Sequence, residues 1–260
     1  MAVGLRLQFF GQVGFLFEAG GSRFLIDPYL SDSVGRQFGP DLSRCSPLPF
    51  PPTEIPSCDA LLLTHAHLDH TDPATLGPLL EAQPNLRVFA PYESRQILSG
   101  LGFDRAQPPP LCWAEITADL FIRAVPSAHT EIHRNAEGEL RDVGYLIRIG
   151  NKTIYHAGDT IPHPVIFEAL QGESIDIALL PINERNFYRD AQGIIGNMTL
   201  REAFQMAADL KIQTLIPTHW DMFAPNSVFP EEIELLYTLL NPPFQLKILR
   251  PGEVLRIPEA

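Results

Sequence analysis

The sequence predicts an α+β domain in which two sheets pack together with helices on the outside. Three observations carry this. Short apolar or alternating segments open the chain, set apart by glycines; strand and helix signals then alternate; and beyond Pro108-Pro109-Pro110 the same order begins again. Each half is strands first, then alternation, and two packed sheets covered by helices satisfy both halves with one core. The expected unit is therefore a single domain over residues 1–260, made of two similar halves with a seam near 108–112.

Residues 5–10, 15–19 and 24–26, separated by Gly11, Gly14, Gly20 and Gly21, read as a meander of strands joined by tight turns. Residues 28–57 carry many prolines and little periodicity, so they are expected to form a long loop, of the kind that is usually functional, placed to cover a site. Leu61-Leu62-Leu63 reads as a central strand. Asp72-Pro73 supplies an N-cap and a first-turn proline for a helix to about residue 81, followed by a strand at 87–90 and a short helix from Pro91.

In the second half, strands are expected at 114–116 and 120–125, and a hairpin pairs 143–149 with 153–156 around Gly150-Asn151. A helix at 164–170, a strand at 177–180, a helix at 200–210 and a strand at 214–216 follow. Thr199 and Glu202 fit a capping box, and Ala203, Met206, Ala207 and Leu210 form that helix's apolar face. A helix at 231–240 and strands at 246–249 and 254–257 close the chain.

Composition excludes several classes of protein. The 260 residues are 45% hydrophobic and 19% charged, enough for a substantial core. With 19 basic against 31 acidic residues the net charge is −12, so the surface repels nucleic acid and anionic lipid, and neither is an expected partner. Cys45, Cys58 and Cys112 are widely spaced and form no CxxC pair, which fits a reducing cytoplasm. No signal peptide is expected from the first residues, and no apolar run approaches the roughly 20 residues that span a bilayer. A homo-oligomer is compatible with this sequence.

The chemistry starts where the Leu61–Leu63 run ends, at Thr64-His65-Ala66-His67-Leu68-Asp69-His70. Three histidines and an aspartate in six positions are hard to explain as packing, and these side chains hold divalent metals. Further candidates recur just after predicted strands: His129 after 120–125, Asp159 in the Gly158 turn after 153–156, and His219 after 214–216. Five of the eight histidines thus fall at strand ends that one rim can gather. His133 is a rival to His129. His156 reads as a core or supporting histidine, and His163 as a surface residue. Asp27, Asp72 and Asp221 are candidates to orient the histidines. The loop 183–189 falls on the same rim, where Arg185, Asn186 and Tyr188, with Trp220, are candidate substrate contacts.

These residues, in this order, resemble the metallo-β-lactamase superfamily, whose HxHxDH motif is matched by His65 to His70. The resemblance covers nearly the whole chain. It implies a four-layer αββα sandwich with the site at one edge between the sheets. It also implies two divalent metal ions: His65, His67 and His129 on one, Asp69, His70 and His219 on the other, Asp159 bridging. Zinc or manganese suits these ligands, and iron is permitted. Within the superfamily, Gly11-Gln12-Val13-Gly14, Tyr155 to Asp159, Asn197-Met198-Thr199 and Pro217 to Asp221 look like the L-ascorbate-6-phosphate lactonase branch. The chain departs from that branch in being shorter and in the loop around Ser127-Ala128-His129.

The expected function is a metal-dependent hydrolase opening a sugar-derived lactone, with or without a phosphate, or a similar ester by attack of metal-bound hydroxide, with Asp69 or Asp159 orienting it and carrying the proton. Two cations less Asp69, Asp159 and one hydroxide leave the site roughly +1, so a small anionic substrate is expected. Two alternatives use the same ligands: a phosphodiesterase acting on nucleic acid or phospholipid, and a di-iron redox protein.

Overall fold

The glycine-punctuated segments form the predicted meander in the computed structural model, which describes residues 4–258. Strands β1 (Leu5–Gly11), β2 (Gly14–Ala19) and β3 (Ser22–Ile26) pair antiparallel in sequence order. Along β1 the inward positions Leu5, Leu7 and Phe9 are buried, as period-two alternation requires. The segment expected to be a loop is more structured than its prolines suggest. It holds helix α1 (Ser33–Phe38) and two single 3-10 turns, Pro40–Leu42 and Pro52–Glu54. Burial of Tyr29, Leu30 and Val34 fixes it in place.

The first half continues through β4 (Ala60–Leu62), α2 (Pro73–Ala82), β5 (Arg87–Phe89) and α3 (Tyr92–Gly100). The Asp72 carboxylate accepts from the amides of Ala74 and Thr75, so it caps α2 as its sequence context predicts. The second half runs β6 (Ala114–Thr117), β7 (Leu120–Pro126), β8 (Val143–Ile149), β9 (Lys152–His156), α4 (Pro164–Leu170), β10 (Ile177–Pro181), α5 (Phe187–Asp190), α6 (Leu200–Asp209), β11 (Thr214–Thr218) and α7 (Pro230–Leu240). Two short strands, β12 (Gln245–Leu246) and β13 (Val254–Ile257), end it.

One sheet has the order β13-β1-β2-β3-β4-β5, the other β12-β11-β10-β9-β8-β7-β6. The expected strand at 246–249 stops at Leu246. Beyond it the chain leaves β11 to reach the other sheet, where the Gly252 amide donates to Phe9 and β13 pairs with β1. The core between the sheets contains Phe9, Phe15, Phe17 and Phe24 against Tyr145, Ile147, Ile154 and Leu179. Each such side chain contributes roughly 2 kcal/mol by leaving water. The outer face of the first sheet is covered by Leu76, Leu79 and Leu98 from α2 and α3. That of the second is covered by Ile166, Phe204, Met206 and Ile233 from α4, α6 and α7. The architecture is the four-layer αββα sandwich.

Three hydrogen bonds tie the sheets together along one rim. The Tyr145 hydroxyl donates to the carbonyl of Leu63 at 2.9 Å, the Val143 amide to Thr64 at 3.0 Å, and His156 Nε2 to Val13 at 2.8 Å. These anchor the chain where β4, β7, β9 and β11 all deliver their C-terminal ends. Among the described residues no helix is long and apolar enough to cross a membrane.

Candidate metal centre

The strand ends bring seven side chains together. His65, His67 and His129 place one ring nitrogen each within 4.8 Å of one another, and so do the ligand atoms of Asp69, His70 and His219. Asp159 lies between these triads. One carboxylate oxygen is 3.1 Å from His219 Nε2 and 4.0 Å from His129 Nε2, and the other is 3.4 Å from His70 Nε2. His129 is in the cluster and His133 is not. His163 instead caps α4 through the Val165 amide. His156 sits in the core, its Nε2 donating to Val13 and its Nδ1 accepting from the Gly158 amide, so it is held neutral between the sheets.

Asp159 owes its position to Gly158, whose φ of +62° lies in the left-handed region. A Cβ there would stand 2.8 Å from the Val143 carbonyl oxygen and 3.0 Å from the Thr64 Cβ, so only glycine lets the turn approach the other sheet.

The outward ring nitrogens are fixed by neighbours. His70 Nδ1 donates to Asp27 at 2.8 Å, and Asp27 also accepts from the Thr64 amide and hydroxyl. Of the three aspartates weighed from sequence, Asp27 holds a histidine directly. Asp72 serves its helix, and Asp221 acts at one remove. Asp221 accepts from the Gln12 amide at 3.0 Å; the Gln12 side chain donates to Asp69 at 2.6 Å, and the Gln12 carbonyl accepts from the His219 amide. Burial pushes the Asp221 carboxyl up to about 6. Gln12, Asp27 and His219 all have positive φ, conformations that cost of order 1 kcal/mol or more each and that cluster at functional sites.

A chain of buried amides reaches both triads. His129 Nδ1 meets Asn197 Oδ1 at 3.2 Å; Asn197 donates to Asn183 at 2.8 Å, Asn183 to Asn226 at 3.1 Å, and Asn226 Nδ2 lies 3.5 Å from His219 Nδ1. The three asparagines follow β10, precede α6 and end the 3-10 turn Ala224–Asn226, so only the folded chain joins them. Asn183 touches neither histidine. Asn183→Leu is nonetheless expected to weaken divalent-metal affinity about 10- to 100-fold, as removal of outer hydrogen-bond partners does. Competition with a chromophoric chelator measures this, and an unchanged affinity would show the amide chain to be packing alone.

The inner atoms are left without partners. Nε2 of His65, His70 and His129 and Oδ1 of Asp159 are buried and make no hydrogen bond. Unpaired buried polar atoms are costly, and imidazole nitrogens beside carboxylates suit a divalent cation, so the residues present fit the metals the fold implies. Protonation behaves accordingly. Burial drives His65 and His129 below their usual range, so both keep a free lone pair. Burial also opposes charge on His70 and His219, yet Asp159 and Asp69 outweigh it and push them up to about 9 and about 10. Burial likewise disfavours charge on Asp69, but His70 and His219 hold it well below the usual carboxylate range.

The centre opens into a pocket of about 440 Å³. Its floor includes His67, Asp69, Asp159 and His219, and α1 contributes Val34 and Phe38 to the wall. The segment 28–57 therefore walls the site rather than merely lying near it. The four expected substrate contacts are not brought there. Arg185 is paired with Glu202 and donates to the Asn197 carbonyl. Asn186 caps α5 and donates to Glu184. Tyr188 is 63% exposed beside a separate groove with Phe229, and Trp220 is buried, its Nε1 donating to Pro217. A polar loop that can pair within its own fold gives no reliable sequence signal of ligand contact. The lining residues missed from sequence, among them Ile194, Ile195 and Phe223, look like ordinary apolar residues there.

A sequence model described as the Beta-lactamase superfamily domain matches residues 22–220. The chain belongs to the beta-lactamase superfamily. It is similar to a UPF0173 metal-dependent hydrolase of Thermococcus kodakarensis, 29% identical over 97% of this chain and 100% of that one. Among solved structures, a possible metal-dependent hydrolase from Veillonella parvula superposes with a TM-score of 0.76 at 17% identity, covering 98% of this chain and 100% of the other. An isothiocyanate hydrolase from Delia radicum gut bacteria does so at 0.74 and 20%, covering 96% and 98%. These two likenesses show a shared fold.

Proposed function

We propose that this beta-lactamase superfamily member is a metal-dependent hydrolase that opens a lactone or cleaves a related ester. The observation that carries the reading is the set of buried, unpartnered nitrogen and oxygen atoms of His65, His70, His129 and Asp159, clustered with the His67, Asp69 and His219 side chains that line the floor of a pocket. The names of the similar Thermococcus and Veillonella proteins support the hydrolase class.

Bound divalent cations supply the acidification of water and the polarisation of a carbonyl oxygen that such a reaction needs. His65, His67 and His129 on one side, and Asp69, His70 and His219 on the other, would hold them, with Asp159 shared. Asp159 is almost wholly buried and faces three histidines, so it holds charge in place. The Asp69 side chain retains 16% exposure toward the pocket and is steadied by Gln12. Asp69 therefore orients the attacking water, takes its proton as the new C–O bond forms, and returns it to the leaving oxygen as the old C–O bond breaks. A phosphodiester substrate fits less well, because no lysine or arginine lines the pocket among the described residues.

The test is hydrolysis of a lactone and ester panel by the protein loaded with zinc or manganese. Turnover is expected to disappear on chelation and return on adding metal back. Turnover that survives complete metal removal would reject the proposal.

A further inference from the structure

The wall above the metal centre is assembled from four separate stretches of chain: Val34 and Phe38 on α1, Leu68 within the histidine motif, Ile194 and Ile195 after α5, and Phe223 after β11. All six are apolar. Phe38 is 61% exposed and Ile195 47%, so large apolar side chains stand open at the rim of a concave site, where a ligand would cover them.

Among the described residues no lysine or arginine lines this wall. Arg36 on α1 is exposed and lies outside the lining, and other arginines of the surrounding segments are held by backbone carbonyls or a carboxylate. Arg44 donates to the carbonyls of Tyr29 and Ser31. Arg189 donates to those of Glu184, Pro225 and Ser227, and Arg185 is held by Glu202. The lining amides are also occupied: Gln192 donates to the Tyr188 carbonyl, and Asn226 accepts from Asn183. A phosphate or carboxylate carried on the substrate away from the reacting carbonyl would lose water against this wall and, among the described lining residues, find no cation and only amides already hydrogen-bonded within the fold.

Resting on the hydrolase reading, we infer that the substrate is an uncharged molecule whose scissile carbonyl carries an apolar limb, seated against Val34, Phe38, Leu68, Ile194, Ile195 and Phe223. This replaces the anionic, phosphorylated substrate expected from sequence. The centre's own positive charge acts on the reacting carbonyl, while the wall selects the rest of the molecule.

The experiment compares, on the metal-loaded protein, lactones bearing alkyl limbs of increasing length with a sugar lactone and its phosphate ester. For the alkyl series kcat/KM is expected to rise about fourfold per added methylene until the pocket is full. The phosphorylated lactone is expected to be at least about 100-fold poorer than the best alkyl member, two full ion-desolvation decades. Ile195→Arg, a change at an exposed position, is expected to shift the alkyl-to-phosphate selectivity ratio toward phosphate by roughly tenfold or more, chiefly through KM. A flat chain-length series, or preference for the phosphorylated lactone by the unaltered protein, would overturn the inference. If no member turns over, the hydrolytic reading fails instead. Ligand-observed NMR with the same lactones then decides the inference: uptake of the alkyl members supports it, and uptake of the phosphorylated one alone, or of neither, rejects it.

Discussion

Asp159→Ala is expected to lower kcat/KM by roughly 10³-fold or more, the several kcal/mol that metal assistance supplies, and to reduce the bound metal measured by elemental analysis. The carboxylate is close to both triads, with oxygens 3.1 Å from His219, 3.4 Å from His70 and 4.0 Å from His129. Removing it takes one negative charge from a buried cluster of imidazoles and deletes a ligand atom from each side. Asp159→Asn separates shape from charge. It keeps the volume of the side chain and is expected to lose nearly as much activity, while circular dichroism of both variants stays that of the unaltered protein. Full metal content with normal turnover in either variant would remove Asp159 from the centre.

The second large effect is a difference in pH dependence between the two triads. His65 and His129 sit below their ordinary pKa of 6.5 because burial disfavours their charge, so a cation entering the first triad displaces no proton from either at neutral pH. His70 and His219, at about 9 and about 10, hold protons at pH 7 in the metal-free protein. A cation entering the second triad must expel both, and its affinity is expected to rise roughly 100-fold per pH unit up to about pH 9. Calorimetric titrations between pH 6 and pH 9 in buffers of different ionisation enthalpy would resolve a nearly flat binding step and a steep one. Two steps of equal slope would contradict this assignment. In the metal-free protein the same raised values act in the opposite sense. Their contribution to stability is complete below 6.5, the unfolded value, and is lost as the pH rises through 9 to 10.

How much of this was readable before folding depended on whether a signal was local. His65 to His70 advertise themselves by density, and His129, Asp159 and His219 by position just after an apolar strand. The choice of Asp27 over Asp72 and Asp221 as the partner of His70 was not readable, because all three are aspartates at element ends and only pairing of β3 with β4 sets Asp27 beside Thr64 and His70. Gln12 and Asn197 lie in segments that carry the resemblance, and Asn183 in the rim loop, but their links to Asp69, His129 and His219 exist only in the folded chain, and Asn226 left no trace in sequence. Arg185 and Tyr188 misled because a polar loop on the correct rim satisfies itself, through Glu202 in one case and open solvent in the other. The apolar pocket wall was hidden most fully. Val34 and Phe38 lie in a proline-rich segment without periodicity, and their role comes from where α1 docks.

The rim where the two sheets meet has a mechanical side. His65 to His70 follow β4 in one sheet, while His129, Asp159 and His219 follow strands of the other. Divalent cations held by these residues would link the two sheets, and the second triad would do so between Asp69 and His219, far further apart in sequence than Cys45 and Cys112. The metal-loaded protein is therefore expected to unfold more slowly than the metal-free protein, a difference that unfolding rates in denaturant with and without a chelator measure.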